Sequence, residues 1–339
     1  MTKKIGIALV GLGPGSEPHI ASLHALHDRV DWRWCVSRSG APQRQRLLPG
    51  SIRLTTDLNE VLADAAVDAV VLATPANTHL AIARQVLAAG KHTLVEKPLD
   101  VSLERAEELV RIAEASKLCF GVVLQHRFRP GAVRLRELLA SGALGELQAG
   151  MLQVPWWRSQ AGYYAQAGRG TRERDGGGVL LTQAIHSLDL FRSFVGVRKV
   201  VAAQVITTAL HTMETEDFVS ALLTLGNGAP GNLMATTAMY PGRTESIELV
   251  CTQANVSLVG GGLQVHYHDG RTEVVDGDAK TGSGDSIMDF APDAHIALHG
   301  DFLDAITHQR EPLVSGREAL LTHRLIEEIL SAGAEDPTR

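Results

Sequence analysis

At 339 residues the chain is long for one domain and natural for two. Its 45% hydrophobic and 21% charged content is that of an ordinary soluble globular protein, and a net charge of -6 with no basic cluster argues against a nucleic-acid partner. No window approaches the ~18 apolar residues of a membrane span. Cys35, Cys119 and Cys251 stand too far apart for a thiolate metal site or a disulfide framework, which suits a reducing, cytoplasmic setting.

The start, MTKKIGIALVGLGPGS, places two lysines before an apolar run. That run covers only residues 5–10 and meets no small-residue cleavage site, so it reads as a strand rather than a signal peptide. Similar apolar runs follow at 34–36, 69–72, 93–95 and 119–124, separated by helical patterns at 18–27, 58–63, 78–89 and 103–115. Near-continuous apolar strands alternating with helices predict an α/β domain over residues 1–124, a parallel sheet covered on both faces.

From residue 125 to 339 the grain changes. A helical stretch at 131–140 leads into ELQAGMLQVPWW and a loop rich in Gly and Arg at 162–178. A helix is predicted at 181–195, then strands at 199–208, 217–225, 231–239, 246–251, 255–259 and 262–268, then helices at 292–307 and 317–332. The Asn-Gly in LGNGAPG predicts a hairpin between the second and third of these strands. The expectation is an α+β domain around an open antiparallel sheet, with an apolar face supplied by runs such as 232–239 for association into a homo-oligomer.

The first strand ends in Gly11-Leu12-Gly13-Pro14-Gly15-Ser16. Glycines at this spacing let the backbone turn tightly and approach a pyrophosphate at a helix N-terminus, and Ser16 is small enough for close helix–strand packing. The second strand ends in Ser37-Arg38 where a free ribose 2′-hydroxyl would call for an acid, so a 2′-phosphate fits; the bland reading is a surface arginine. After the next apolar run comes Ala73-Thr74-Pro75-Ala76-Asn77, in which Pro75 stops the strand and Asn77 can cap a helix. The run at 93–95 ends in Glu96-Lys97-Pro98: an acid, a base and an imide at a strand exit.

In the second half, Leu181, Ile185, Leu188 and Val195 share one helix face, and Thr182, His186, Asp189 and Ser193 share another. The second stripe is either a wet face or, behind the glycines of Asp175–Gly178, a functional one. Trp156-Trp157-Arg158 with Tyr163-Tyr164 is either core or a wall for a polyhydroxylated ligand, with Arg158 toward an anionic group. His295 and His299, and His266 and His268, lack a third ligand at familiar spacing, so no metal is expected.

Taken in order, GIALVGLGPGSEPH, ATPANTH, VEKPLD, QHRFRP, DGGGVLLTQAIHSLDL and HGDFLDAI with REPLVSGREALL resemble the Gfo/Idh/MocA oxidoreductases over nearly the whole chain. The resemblance implies a Rossmann domain followed by a substrate-binding and oligomerising domain, working as a homodimer or homotetramer. It implies NADP, or possibly NAD, held by residues 11–16, Ser37, Arg38, Thr74, Pro75, Asn77, His79, Glu96, Lys97 and Gln125. It implies Lys97 and His186 as the catalytic pair, with Arg127, Trp157, Arg158, Tyr163 and Thr182 around a small-molecule substrate. Relatives often carry Asp or Asn where Thr182 stands. The implied reaction is hydride transfer at a secondary alcohol or ketone of a sugar, sugar acid, nucleotide sugar or cyclic polyol. Dihydrodiol or hemiacetal oxidation, and a non-catalytic NADP(H)-binding regulator, are the alternatives; a regulator would need neither Lys97 nor His186.

Overall fold

The computed structural model describes residues 3–38, 46–277, 282–284 and 291–334. The chain forms two compact units. One runs to Gln125 and includes Pro292–Leu320; the other holds His126–Ala291 and the chain from Leu321.

In the first unit six strands lie in the order β3-β2-β1-β4-β5-β6. They are β1 (Ile5–Val10), β2 (Val30–Val36), β3 (Arg53–Thr55), β4 (Ala69–Leu72), β5 (His92–Glu96) and β6 (Phe120–Val123). All five pairings are parallel, as strands buried on both faces require. The order reverses between β1 and β4, which opens a crevice at the carboxyl ends of the strands. Packing at this seam demands glycine. A Cβ at Gly6 would lie 1.8 Å from Ala66 O, and one at Gly11, where φ is +106°, 2.4 Å from Ala73 O. Val122 N–H bonds Val314 O at 3.0 Å, which is how the segment Pro292–Leu320 joins this unit.

The second unit is built on eight strands in the order β14-β13-β12-β11-β7-β10-β9-β8. These are β7 (Leu147–Pro155), β8 (Val197–Ile206), β9 (Phe218–Leu225), β10 (Pro230–Thr236), β11 (Ser246–Cys251), β12 (Ala254–Val259), β13 (Gly262–Tyr267) and β14 (Thr272–Val275). β9 and β10 form the expected hairpin, with Gly228 at φ +93° in the turn. One pairing departs from the antiparallel expectation: β7 and β10 run parallel.

Residues alternate faces along a strand, and one face of this sheet is the core. Leu152, Val154, Val219, Ala221, Leu233, Ala235, Ile247, Leu249, Val256 and Leu258 are all buried there. Helix Ile185–Val195 covers part of it, and Gly150 makes room: a Cβ there would meet the Phe191 ring at 3.2 Å. The apolar residues of β10, Leu233 and Ala235, therefore point inward. The outer face is mixed rather than apolar, with Asn232, Gln153 and Ser220 among exposed Leu222, Val250 and Val259. Among the described residues no helix is long and apolar enough to cross a membrane.

The predicted helix at 181–195 is broken into Val179–Thr182 and Ile185–Val195. At the break Ala184 N–H reaches back five residues to Val179 O at 2.8 Å. The stripe of Thr182, His186, Asp189 and Ser193 is only partly solvated: His186 is 8% and Asp189 0% exposed, whereas Thr182 is half-buried and Ser193 exposed.

The three cysteines are free thiols. Burial pushes Cys35 up to about 12, and burial with the charge of Asp301 does the same to Cys119. At pH 8 the thiolate fraction is then about 10⁻⁴, since only the thiolate is reactive. Iodoacetamide should leave Cys35 and Cys119 unmodified in the native protein and label both after unfolding in urea, read by peptide mass spectrometry.

Candidate active site

In the first unit the turn after β1 is shaped by its glycines. Gly13 precedes a single 3-10 turn, Pro14–Ser16, that leads directly into helix Glu17–Ala25. Ser16 is fully buried and its hydroxyl donates to Gly13 O at 2.8 Å, which closes the turn. Leu12 is buried as well. On the open side, no atom lies within 4 Å of the position a Cβ would take at Gly13 or Gly15. That bare backbone at a helix N-terminus is a cradle for an anion. At the end of β2, Ser37 is buried, its N–H on Thr55 O at 3.0 Å, while Arg38 is exposed.

The exit of β4 differs from its expected form. Asn77 lies inside a 3-10 turn, Ala76–Thr78, and the next helix, His79–Ala88, has Thr78 at its N-cap. The buried Asp100 takes over the capping role, accepting Leu80 N–H at 3.0 Å. Thr74 and Pro75 accept from the Thr78 hydroxyl at 2.9 and 2.7 Å. His79 is fully buried between Thr74 O at 2.9 Å and Pro98 O at 3.0 Å. It ties two site turns together instead of facing a ligand.

β5 ends in Glu96, and the Lys97–Pro98 bond is cis. Glu96 Oε2 accepts the Lys97 backbone N–H at 3.0 Å, and Oε1 lies 2.8 Å from His19 Nε2 on the helix that starts at the cradle. The Lys97 turn is thereby fixed against the cradle within one unit. Gln125 is buried, and its Oε1 has no hydrogen-bond partner among the described residues. An acceptor left without a donor in a buried place fits a ligand that brings one. Cradle, arginine and orphaned acceptor together fit a dinucleotide.

In the second unit His186 begins helix Ile185–Val195 and stacks on His126, with ring centroids 4.9 Å apart. One turn earlier the Thr182 hydroxyl donates to Gly178 O at 2.6 Å and touches Gln183 Oε1. Gln183 Nε2 in turn donates to the Tyr163 hydroxyl at 2.9 Å, and Arg169 lies over the Tyr163 ring at 4.9 Å. Trp157 is half-buried, edge-on to Tyr240 at 5.4 Å.

Two expected substrate arginines are engaged inside the protein. Arg127 grips the fully buried Asp189 with Nε and Nη2 at 2.6 and 2.7 Å, and Thr322 adds a hydrogen bond to the same carboxylate at 2.8 Å. Arg158 gives Nη1 to Trp157 O and Gly284 O and Nη2 to Gly282 O, at 2.7, 2.6 and 2.7 Å. Each guanidinium holds backbone or a buried acid, because a buried cation needs its donors matched. The glycines before His186 also have internal reasons. A Cβ at Gly178 would lie 1.9 Å from Glu216 O, and one at Gly177 3.0 Å from Leu181.

Sequence reasoning passed over His19, His126 and Gln183, all inside the quoted motifs but with nothing in their spacing to mark them off from their polar neighbours. No group of three His, Cys, Asp or Glu side chains is placed to hold a metal among the described residues.

The strand order and glycine turn define a dinucleotide-binding α/β protein with an attached antiparallel domain. Residues 5–124 match the oxidoreductase family with an NAD-binding Rossmann fold, and residues 132–257 match the GFO/IDH/MocA C-terminal domain. UDP-N-acetylglucosamine 3-dehydrogenase from Acidithiobacillus ferrooxidans is 31% identical over 261 residues, 76% of each chain. The WlbA dehydrogenase from Bordetella pertussis, solved in complex with NADH and UDP-GlcNAcA, superposes with a TM-score of 0.82 at 26% identity, covering 98% of this chain and 97% of that one. Levoglucosan dehydrogenase, in complex with NADH and levoglucosan, gives a TM-score of 0.86 over 98% of both chains, a likeness of fold at 20% identity. The chain belongs to the Gfo/Idh/MocA oxidoreductase family.

The Arg127–Asp189 pair yields a test of its structural role. Arg127→Met removes the bidentate partner of a fully buried carboxylate, which keeps Thr322 and, at 3.5 Å, Arg192. It should cost up to about 3–5 kcal/mol of stability, whereas the double change with Asp189→Leu should recover most of that loss. Urea unfolding of both variants measures it.

Proposed function

We propose that the protein is a dehydrogenase that moves a hydride between a nicotinamide dinucleotide and a secondary alcohol or ketone of a sugar, sugar acid or nucleotide sugar. The observation that carries this reading is the Glu96–His19 hydrogen bond of 2.8 Å, which fixes the Lys97 turn beside the glycine cradle. The relative at 31% identity, named for a nucleotide sugar, supports the substrate class.

Bound nicotinamide supplies the hydride acceptor. The rest of the chemistry belongs to the protein. As hydride leaves a carbinol carbon, the hydroxyl proton must go to a base and the oxygen needs a partner for its growing charge. Lys97, at the carboxyl end of β5, supplies the cation for that oxygen. His186, of a residue type whose ordinary pKa is about 6.5, takes the proton. In this reading Tyr163, held by Gln183, and Thr182 meet the hydroxyls of the substrate, while Trp157 packs on its C–H face. Arg127 and Arg158 act one layer back, as the anchors of that wall.

We further propose NADP as the preferred cofactor, because the exposed Arg38 follows β2 where an acid would serve a free 2′-hydroxyl. A charge-assisted hydrogen bond contributes about 1.5–3 kcal/mol, a preference of roughly ten- to hundredfold. Arg38→Ala should erase most of it and leave NAD binding almost unchanged, as calorimetry with both cofactors would show. Equal affinities in the parent protein would refute it. The reading also includes a cytoplasmic homodimer or homotetramer, associating through the mixed outer face of the large sheet.

Lys97→Met and His186→Ala should each lower kcat by about 10²–10⁴, the usual contribution of a positioned proton-transfer group, with folding and cofactor binding retained. A screen of sugars, sugar acids and nucleotide sugars with either cofactor supplies the substrate for these kinetics. Either variant keeping more than half the parent kcat would remove its residue from the mechanism, and silence across the screen would favour a dinucleotide-binding regulator.

A further inference from the structure

Behind Lys97 lies a buried cluster that hydride transfer does not itself require. His19 is the third residue of helix Glu17–Ala25 and is 0% exposed. Its Nε2 lies 2.8 Å from Glu96 Oε1 and its Nδ1 2.9 Å from His299 Nε2. His295, one turn from His299 on helix Asp293–His308, presents its ring edge-on to His19 with centroids 6.0 Å apart. Both Glu96 oxygens are assigned, one to His19 and the other to the Lys97 N–H.

The charges follow from this geometry. Burial opposes ionisation of Glu96, but the hydrogen bond from His19 and the electrostatic influence of the neighbouring His19, Lys97 and His295 prevail and hold it below the usual carboxylate range. Glu96 is therefore a carboxylate near neutrality, an acceptor only, and His19 Nε2 must be the donor to it. Burial, reinforced by His19 and His295, holds His299 well below the usual imidazole range, so it stays neutral and closes the far side of the cluster without adding charge.

We propose that His19, backed by His299, is a positioning residue for Lys97: it holds Glu96 as an oriented carboxylate, which fixes the Lys97 backbone and keeps a negative charge beside its ammonium group. This rests on the reading that Lys97 acts at the reacting oxygen. His19 touches neither substrate nor cofactor in this assignment; it acts through Glu96.

The test reads Lys97 directly and needs no substrate. Lysines are reductively methylated with ¹³C-formaldehyde, and the Lys97 signal, assigned by its loss in Lys97→Arg, is titrated by NMR. In His19→Leu, Glu96 keeps only the Lys97 N–H as donor, and its burial should then drive it to take up a proton. Lys97 should then titrate lower by about one unit or more, the effect of losing a nearby opposite charge. His19→Gln, whose amide can donate to Glu96 from the same side, should restore the parent titration. Glu96→Gln keeps the side-chain size and should reproduce the downward shift, which covers the case of a His19→Leu chain that does not fold. With a substrate in hand, His19→Leu should lower kcat at least tenfold with the cofactor KM within about threefold of the parent. An unmoved Lys97 signal in folded His19→Leu or Glu96→Gln overturns the proposal. If that signal moves but Lys97→Met keeps its activity, the catalytic reading fails and the positioning role stands.

Discussion

A carboxylate taken out of water must be surrounded by donors, or it takes up a proton or destabilises the fold. This chain places several buried or half-buried acids where loops must be held. Asp100 accepts Leu80 N–H, Val101 N–H and Arg105 beside the Lys97 turn. Glu216 accepts Gly178 N–H and Leu180 N–H, pinning the entry to the His186 helices. Asp217 accepts Thr208 N–H and His211, and Asp175 accepts Gly170 N–H in the loop that carries Arg169. Asp189 holds Arg127 against the helix of His186, and Glu96 sits between His19 and Lys97. Segments without regular hydrogen-bonding ladders are held by carboxyl anchors, and the candidate site's side chains stand on those segments.

The alternation of strand and helix in the first unit was plain in the sequence, because parallel strands buried on both faces have to be apolar throughout. The glycine turn was legible for a similar reason: at Gly11 the backbone angle and the nearness of Ala73 O leave no other residue. The strand pattern of the second unit could also be read, since one buried face imposes a period of two. What periodicity cannot carry is partner choice. Leu233 and Ala235 announce an apolar face but not which layer covers it, and helices cover it instead of a second subunit.

Lys97 and His186 stood out as candidates because their residue types can handle a proton, whereas roles that depend on long-range pairing were obscure. Arg127 and Arg158 read as substrate-site residues because an arginine in a polar motif carries no mark of its partner; that partner lies 62 residues away for Arg127 and 126 for the Gly284 contact of Arg158. The stripe of Thr182, His186, Asp189 and Ser193 stayed open between a wet and a functional face, because helical spacing does not show that Asp189 is covered by Arg127 and Thr322 from far along the chain. His19 was hidden for the opposite reason, standing in a motif whose glycines already explain it.

The parallel pairing of β7 with β10 has a consequence for how this protein can change. Parallel neighbours cannot be joined by a tight turn, so the chain must leave at Pro155 and return at Pro230. Everything proposed to meet substrate in the second unit, from Trp157 and Tyr163 to Thr182, Gln183 and His186, lies on that one excursion, as do Glu216 and Asp217 that brace it. The excursion contributes β8 and β9 to one flank of the sheet, while β11 to β14 and β7 complete the other without it. In the proposed reading, the second unit's share of recognition thus sits on a single contiguous insert in a sheet that closes around it. Such an insert can diverge, or be exchanged whole with that of a relative, without altering the strands of the first unit, though His186 travels with it.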